Sequence, residues 1–431
     1  MLMPFSTYCK IYPSADDPDA LILYSTKKTS TIIIPKKMLG EIEAGNISEE
    51  EKSTLSELGF IVANSRTERE EMRDYIDDVN GMSRVFAAKV AMNLDCNLAC
   101  KYCFEGLRKG KFYMTRETAD LFIEFVKKIV LSGKEEIMLT FYGGEPLLSL
   151  DLIAYISEKT KILAEDNGLT YHGAIITNGT LLTPGVVKRL KMLGIGEAAL
   201  TLDGPAEIHN NFRPFKTGRG SFDLIIKNLK EACGIMEIQL NGNFTRENYR
   251  NFPMLLDFLT ETGLTADKIS MVRFGPVTKE SKGIALPDFH DGCDSFNEPW
   301  LQGADVYLRE EILRHGYKTY KLVPGICSLD MKDHMLVNHD GNIYKCPGLI
   351  GRTEFKAGDV ITGLKNIGNA YNPDNWKNEE CLDCCYLPLC FGGCRYMRLV
   401  REGTMDGVDC RKSYFDSVLE TLISQNIKYD L

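Results

Sequence analysis

The central part of this chain alternates between strand-like and helical segments, and this alternation constrains its fold more than any other feature. Residues 86–277 contain six apolar runs of strand length, separated by amphipathic stretches of helical length. Strands that alternate with helices form βαβ units, whose strands lie parallel in one sheet. Six units predict a partial (β/α)6 barrel, because a closed barrel of this kind has eight. The predicted strands are 85–93, 137–142, 172–177, 198–202, 237–243 and 269–274, with helices such as 116–131, 152–166 and 222–232 between them.

Residues 1–66 are predicted to form a separate α/β unit. Strands at 20–24 and 31–34 precede helices at 36–44 and 48–58, and a further strand is expected at 60–62. Ser48 is a good N-cap because acids fill the helical turn that follows it. This order of elements predicts a winged-helix-like module. The remaining predicted segments are a linker helix within 67–85, the barrel at 86–277, an extension at 278–319, and a cysteine-rich domain at 320–431 that ends in a helix at 413–424.

Charge and hydropathy exclude several classes of protein. The net charge is −9, so the basic stripe of a nucleic-acid-binding protein is not expected. No apolar run approaches the roughly 20 residues that span a bilayer. The N-terminus lacks a basic segment followed by an apolar one, so we predict no secretory signal and a cytoplasmic location. Thiols stay reduced in the cytoplasm, which leaves the 14 cysteines to be explained without disulfides.

The cysteines are clustered rather than scattered. Three lie within eight residues at 96–103, five lie within fourteen residues at 381–394, and Cys410 follows. Cysteines that act only as small buried hydrophobes would not gather in this way. The distribution therefore predicts metal binding.

The first cluster has the spacing of a cofactor loop. Cys96, Cys100 and Cys103 directly follow the first predicted barrel strand. Three thiolates on a short loop can hold three corners of a four-iron cluster and leave the fourth iron open, as a catalytic metal site requires. This spacing, with Tyr102 before the last cysteine, resembles the signature of the radical S-adenosylmethionine (SAM) superfamily. The resemblance also places Tyr102 among the residues expected to contact SAM. A zinc site with a distant fourth ligand is the alternative.

The resemblance implies a chemistry and further contacts with the cofactor. In that superfamily the open iron binds the amino and carboxylate groups of SAM, and an electron from the cluster releases a 5′-deoxyadenosyl radical that abstracts hydrogen. The run Gly143-Gly144-Glu145-Pro146 resembles the motif that cradles the amino group of SAM. Alternatively, it is only a strand-ending turn.

Two later segments contribute further expected SAM contacts. The segment that begins at Thr201 and ends near Arg213 resembles one found in peptide-modifying members. Thr201 is expected at the ribose or carboxylate of SAM, and Arg213 is expected to clamp the carboxylate, although a loop arginine is often only solvated. Asn178 ends the third strand at the same mouth, where a turn-forming Asn-Gly pair is the alternative.

The later cysteines resemble the SPASM extension of radical SAM enzymes, which binds two auxiliary four-iron clusters. Zinc is again the alternative, since cysteine pairs also build structural zinc sites. The resemblance assigns three cysteines to the first auxiliary cluster and four to the second. They are Cys327, Cys346 and Cys394 for the first, and Cys381, Cys384, Cys390 and Cys410 for the second.

The first auxiliary set lacks a fourth cysteine. Some relatives supply one a few residues after the position of Cys327, but the stretch 328–334 contains none. We therefore predict an iron open to a substrate thiolate, to water, or to a carboxylate such as Asp330 or Asp333. Cys385 competes with its neighbour Cys384 as a ligand, although its spacing fits less well. Cys9, Cys233 and Cys293 are expected to be inert.

The resemblance implies a maturase of ribosomally made peptides. The N-terminal unit looks like a domain that captures a leader peptide at an open sheet edge. The lysines at 27, 28, 36 and 37 flank the predicted strand at 31–34 and would favour an acidic leader; a solvated lysine-rich loop is the alternative. We expect a precursor peptide with a leader, a thioether crosslink as product, three four-iron clusters with SAM as cofactors, and an electron donor such as flavodoxin or ferredoxin.

One alternative is a sulfatase-maturase-like enzyme that makes formylglycine. Such enzymes carry Asp directly after the residue equivalent to Cys346, where this chain has Pro347. A zinc-stabilised peptide-binding protein is the non-enzymatic alternative.

Overall fold

The computed structural model describes residues 3–279, 289–365 and 371–431. In the N-terminal unit, three antiparallel strands lie in chain order, β1 (Cys9–Pro13), β2 (Ala20–Ser25) and β3 (Thr31–Pro35). Two helices follow, α1 (Lys36–Glu43) and α2 (Glu49–Glu57), and Ser48 caps α2 as predicted. The long helix α3 (Ser65–Met82) occupies the predicted linker.

Two details of this unit differ from the prediction. Strand β1 was not predicted, because its short sequence ends in a proline. The strand predicted at 60–62 is wrong, since Ile61 forms only an isolated bridge with Phe5. The partner segment carries Pro4, which has no N–H group with which to lengthen a ladder.

The six predicted barrel strands are confirmed as parallel neighbours in chain order. The strands are β4 (Val85–Ala91), β5 (Glu136–Tyr142), β6 (Thr170–Thr177), β7 (Ile195–Thr201), β8 (Glu237–Phe244) and β9 (Met271–Pro276). The helices that accompany them are α4 (Arg116–Val130), α5 (Leu150–Asp166), α6 (Pro184–Met192), α7 (Ala206–Phe212), α8 (Phe222–Ala232) and α9 (Phe252–Glu261).

Alternate residues of the strands build the core between sheet and helices. In β5, Ile137, Leu139 and Phe141 are buried, whereas Met138 lies on the opposite face and is 44% exposed. Helix α4 is among the helices that supply the facing apolar side chains, including Phe122. Because the strands are parallel, the loops after their C-terminal ends meet at one edge of the sheet.

The C-terminal region continues the same sheet. Strand β10 (His334–Val337) lies parallel to β4, and β11 (Asn342–Tyr344), β12 (Gly358–Asp359) and β13 (Gly363–Leu364) follow in antiparallel order. The predicted final helix is confirmed and extends over Lys412–Lys428. The helix Arg395–Glu402 was not predicted, since its neighbouring sequence is rich in Gly and Cys.

The predicted extension contains a long helix, α10 (Pro299–Arg314), which the sequence did not indicate. Residues 280–288 of that extension lie outside the described residues. Helix α10 packs on the C-terminal helix, where buried Arg309 donates a hydrogen bond to Gln425 (2.7 Å). Within the described ranges, no helix is both long and apolar enough to cross a membrane.

Candidate active site

A cavity of about 470 Å³ opens at the edge where the parallel strands end. Its wall gathers the first cysteine motif and six of the seven residues expected to contact SAM; Glu145 is the exception. The structure therefore brings these residues together, while their individual roles stay predictions. The residues concerned are Cys96, Cys100, Cys103, Tyr102, Gly143, Gly144, Asn178, Thr201 and Arg213.

The cysteine loop is fixed by backbone hydrogen bonds to a second loop. The N–H of Ala99 donates to the carbonyl of Pro214 (2.8 Å), and the N–H of Lys101 donates to the carbonyl of Phe212 (3.0 Å). The position of Cys100, which lies between these two bonds, is therefore set by main-chain contacts on both sides.

The glycine pair after β5 allows two loops to touch. Gly143 has a φ of +137°, which favours glycine. A Cβ atom at Gly144 would lie 2.1 Å from the carbonyl oxygen of Asp95, and one at Gly143 would lie 2.3 Å from that of Asn93. A side chain at either position would push the cysteine loop away from β5.

Glu145 lies behind the cavity wall in this structure. Its carboxylate accepts hydrogen bonds from the Thr177 hydroxyl (2.7 Å), the Asn178 N–H (2.8 Å) and the Leu147 N–H (3.1 Å). Burial raises the pKa of Glu145, while these three bonds lower it. The carboxylate thus ties the end of β5 to the end of β6, and its contact with SAM stays a prediction.

A buried polar network stands on the cavity wall beside the cysteines. Tyr102 donates to the carboxylate of Asp203, while Arg213 (2.7 Å) and Asn243 (3.0 Å) donate to the Tyr102 oxygen. Burial raises the pKa of Asp203, and the Arg213 guanidinium partly opposes this effect. The network holds the Arg213 side chain in place, so the alternative of a freely solvated arginine does not apply.

Sequence reasoning assigned no role to three residues of the site: Asn243 and Lys109, which line the cavity, and Asp203, which is buried behind Tyr102. Asp203 lies in the segment that begins at Thr201. Asn243 lies in β8 and had no motif of its own. Lys109 lines the cavity; burial alone lowers its pKa, but the Cys103 and Cys96 thiols raise it overall. The only feature of the sequence that could have indicated Lys109 is its position as a cation shortly after the cysteine motif.

The thiols and their surroundings fit a four-iron cluster with one open iron. Burial raises the pKa of Cys96 to about 11, and it also raises the pKa of Cys100. Metal binding must displace these protons, because the thiolate is the ligand. If such a cluster is bound here, the three cysteine thiols in the cavity wall would hold three of its irons and leave the fourth for SAM.

The second auxiliary set lines one cavity of about 130 Å³ in the C-terminal region. Cys385 does not line this cavity, whereas its neighbour Cys384 does. A hydrogen bond with Cys385 lowers the pKa of Cys384. The geometry therefore favours Cys384 over Cys385 as a ligand. The four cysteines of the lining are Cys381, Cys384, Cys390 and Cys410.

The first auxiliary set also comes together. Burial raises the pKa of Cys346 to about 12, and the nearby Cys394 and Cys327 thiols raise it too. The carboxylates considered as a fourth ligand are engaged elsewhere. Asp330 forms a bidentate ion pair with Arg395 (2.9 and 3.0 Å), and Asp333 pairs with Lys134.

No three His, Cys, Asp or Glu side chains in the described part of the chain converge on one metal ion. A four-iron cluster does not require such convergence, since each thiolate binds a different iron of the cluster. A second cavity, of about 530 Å³, opens near the N-terminal ends of the strands and is lined by side chains such as His172 and Glu237. None of the predicted site residues line it.

Residues 92–259 match the sequence model of the Radical SAM superfamily. The match begins just after β4 and ends within α9, so it includes the first cysteine motif and the strands β5 to β8. This chain is a radical SAM enzyme, the class that the cavity and its three thiols define.

Three curated relatives are similar to most of the chain. The radical SAM cyclopropyl synthase TigE of Paramaledivibacter caminithermalis is 28% identical over 374 residues, covering 78% of this chain and 74% of that protein. The mycofactocin maturase MftC of Mycobacterium tuberculosis is 27% identical over 349 residues, covering 73% and 79%. A serine-type anaerobic sulfatase-maturating enzyme of Bacteroides thetaiotaomicron is 24% identical over 355 residues, covering 72% and 82%.

Solved structures share the fold. Native anSMEcpe with bound AdoMet and Cp18Cys peptide aligns with a TM-score of 0.62 and 18% identity, covering 80% of this chain and 99% of that chain. SuiB of Streptococcus suis, bound to precursor peptide SuiA, aligns with a TM-score of 0.56 and 16% identity, covering 95% and 99%. Because the second alignment covers 95% of this chain, it includes most of the N-terminal unit.

Proposed function

We propose that this radical SAM enzyme matures a ribosomally made precursor peptide by joining a cysteine sulfur to carbon in a thioether crosslink. The observation that carries the proposal is the gathering of the cysteines: three line the cavity at the strand ends, and seven more form two groups in the C-terminal region. The similar solved structures of anSMEcpe and SuiB, which hold the Cp18Cys peptide and the precursor peptide SuiA, support a peptide substrate.

The residues of the main cavity are proposed to bind and orient SAM. When bound at the first cysteine motif, a four-iron cluster supplies the electron that cleaves SAM into methionine and a 5′-deoxyadenosyl radical. The planar fork of Arg213, held by Tyr102, is suited to the SAM carboxylate. Gly143 and Gly144 let main-chain atoms approach the amino group closely. Asn178 and Thr201 complete the wall of the cavity around the rest of the nucleotide.

Bond formation in the peptide removes two hydrogens. A C–H bond of the precursor breaks, and its hydrogen atom leaves in 5′-deoxyadenosine. The carbon radical then joins a cysteine sulfur, which loses its proton, and one electron departs. When bound, the auxiliary clusters supply the acceptor for that electron. The engagement of Asp330 with Arg395 and of Asp333 with Lys134 leaves the open auxiliary iron to water or to the substrate thiolate.

The N-terminal unit is proposed to capture the leader. Strand β3 is an edge strand of its sheet, and Ile33 on it is 53% exposed. An extended peptide can pair with such an edge through main-chain hydrogen bonds. Lys27 is engaged by Glu71 (2.8 Å), so the exposed lysines at the start of α1, Lys36 and Lys37, are better placed to attract an acidic leader.

A formylglycine-generating enzyme remains the second candidate, because a sulfatase-maturating enzyme is among the relatives. Pro347 begins a short 3₁₀ helix directly after Cys346 and carries no group that could act as a base. A zinc-stabilised binding protein would be distinguished from this enzyme by its metal content. Anaerobically purified protein is expected to be brown and to hold about twelve irons if three four-iron clusters are present, rather than to be colourless with zinc.

Anaerobic co-expression with small open reading frames encoded nearby tests the proposal. A crosslinked precursor is expected to lose the mass of two hydrogens and to lose one thiol that iodoacetamide alkylates. Formylglycine made from serine also loses two hydrogens but reacts with a hydrazide, and formylglycine made from cysteine loses sulfur. The Cys96→Ala enzyme is the control and should leave the precursor unchanged. A hydrazide-reactive product would establish the second candidate instead.

Replacement of the neighbouring cysteines 384 and 385 tests the ligand assignment. Cys384→Ser is expected to lower the iron content by up to about four per chain, because this thiol lines the cavity of the second auxiliary set. Cys385→Ser is the matched control and should keep the full iron content. Iron and sulfide assays after anaerobic purification measure both variants, and equal losses in the two would refute the assignment.

A further inference from the structure

We infer that the surface outside the first cysteine loop docks an acidic electron-carrier protein of the flavodoxin type, which delivers the electron used to cleave SAM. The inference rests on the proposed function and deepens it by locating the partner. The surface, called here the donor face, consists of the loops at 93–113 and 210–220. Its exposed charged and aromatic members are Lys101, Lys111, Phe112, Tyr113, Lys216 and Arg219.

The donor face carries charge opposite to that of the whole chain. The segments 93–113 and 210–220 contain seven Lys or Arg residues and two acids, whereas the chain has a net charge of −9. Two of these cations, Lys109 and the buried Arg213, belong to the cavity wall, which leaves five for the donor face. One acid, Glu105, is buried, and the other, Asp95, is neutralised by Lys216 (2.8 Å). An acidic partner would therefore be attracted to this face and repelled by much of the remaining surface.

Two large aromatic side chains stand among these charges. Phe112 is 53% exposed and Tyr113 is 40% exposed. Tyr113 is fixed by a hydrogen bond from its hydroxyl to Asp95 (2.7 Å), and Phe112 stacks against His339 with ring centroids 5.7 Å apart. Exposed aromatic residues among cations are typical of protein interfaces, and small interfaces of this kind suit brief electron-transfer encounters.

The donor face is also the outer side of the loop that carries the first cysteine motif. Lys101 directly follows Cys100 in sequence, and its side chain reaches outward to Asn211 (2.6 Å). The Leu94 N–H donates to the carbonyl of Phe112 (2.9 Å), so the aromatic segment is tied by its backbone to the same loop. A carrier bound here would therefore contact the loop that carries the three thiols.

The experiment uses the reconstituted holoenzyme and the double variant Lys111→Glu with Arg219→Glu. Neither side chain has a carboxylate partner among the described residues, and neither contacts a cysteine of the motif. With reduced flavodoxin as donor, formation of 5′-deoxyadenosine is expected to slow by about tenfold or more at low salt and to lose most of its salt dependence. With dithionite as donor, the rate should stay within about twofold of the unchanged enzyme.

Binding supplies an independent readout. The affinity of the holoenzyme for oxidised flavodoxin, measured by surface plasmon resonance, should fall by about tenfold in the variant at low salt. The control reverses two exposed lysines on outer helices, Lys159→Glu with Lys227→Glu, and should change neither readout. Equal slowing with flavodoxin and with dithionite would overturn the inference, as would unchanged flavodoxin affinity. Absence of turnover with dithionite in the unchanged enzyme would instead overturn the proposed function.

Discussion

Replacement of Cys100 by alanine is expected to abolish cleavage of SAM. Loss of the supporting groups around a metal site typically costs 10- to 100-fold in activity, and loss of a ligand should exceed about a hundredfold. Cys100 lies between two backbone hydrogen bonds that fix its loop, so no neighbouring residue can shift into its place. The variant should produce no measurable 5′-deoxyadenosine with dithionite and SAM, as detected by chromatography.

The iron content of the variant shows whether it has lost one cluster or has failed to fold. Cys100→Ala should retain up to about eight of twelve irons, because the two C-terminal groups of cysteines are untouched. Cys233→Ser is the matched control, since Cys233 lies at the end of α8, away from all three groups, and burial raises the pKa of its thiol to about 11. Turnover by Cys100→Ala at the unchanged rate would contradict the assignment of the first cysteine motif.

The alternation of strand-like and helical segments was sufficient to predict the barrel. Each strand from β4 to β9 carries an apolar run of the right length, and parallel neighbours follow from the helices between the runs. The end of each strand then places its loop at a common edge. For this reason Gly143, Asn178 and Thr201, which lie at the ends of strands, could be expected near the cysteines. Arg213 was expected there only from the family resemblance, and all four residues line the same cavity.

Side-chain partnerships were not predictable in the same way. Glu145 was expected to face SAM, but its carboxylate bonds to the ends of β5 and β6, which come together only in the folded sheet. The network around Tyr102 joins residues from four separate segments: the cysteine loop, the loop after β7, the end of α7 and strand β8. The carboxylates of Asp330 and Asp333 were considered as iron ligands, because their cationic partners, Arg395 and Lys134, are distant in sequence and could not be recognised from it.

Removing one of these partners should produce the largest loss of stability among our predictions. Arg395 and Asp330 are both buried, with side chains 0% and 3% exposed, and they make two hydrogen bonds of 2.9 and 3.0 Å. Breaking a buried ion pair by removing one partner leaves an uncompensated charge in the interior. Arg395→Met should therefore lower the free energy of unfolding by about 3–5 kcal/mol, as measured by anaerobic chemical denaturation.

A double variant distinguishes an ion pair from a metal ligand at Asp330. If the carboxylate acts only as the partner of Arg395, then Asp330→Leu combined with Arg395→Met should recover most of the stability lost by Arg395→Met alone, because no buried charge remains. The iron content and the spectrum of the reduced clusters should stay unchanged in the double variant. Should the double variant instead lose iron, or change the spectrum of one cluster while stability recovers, Asp330 would be a ligand of the first auxiliary cluster. The open iron would then be unavailable to a substrate thiolate.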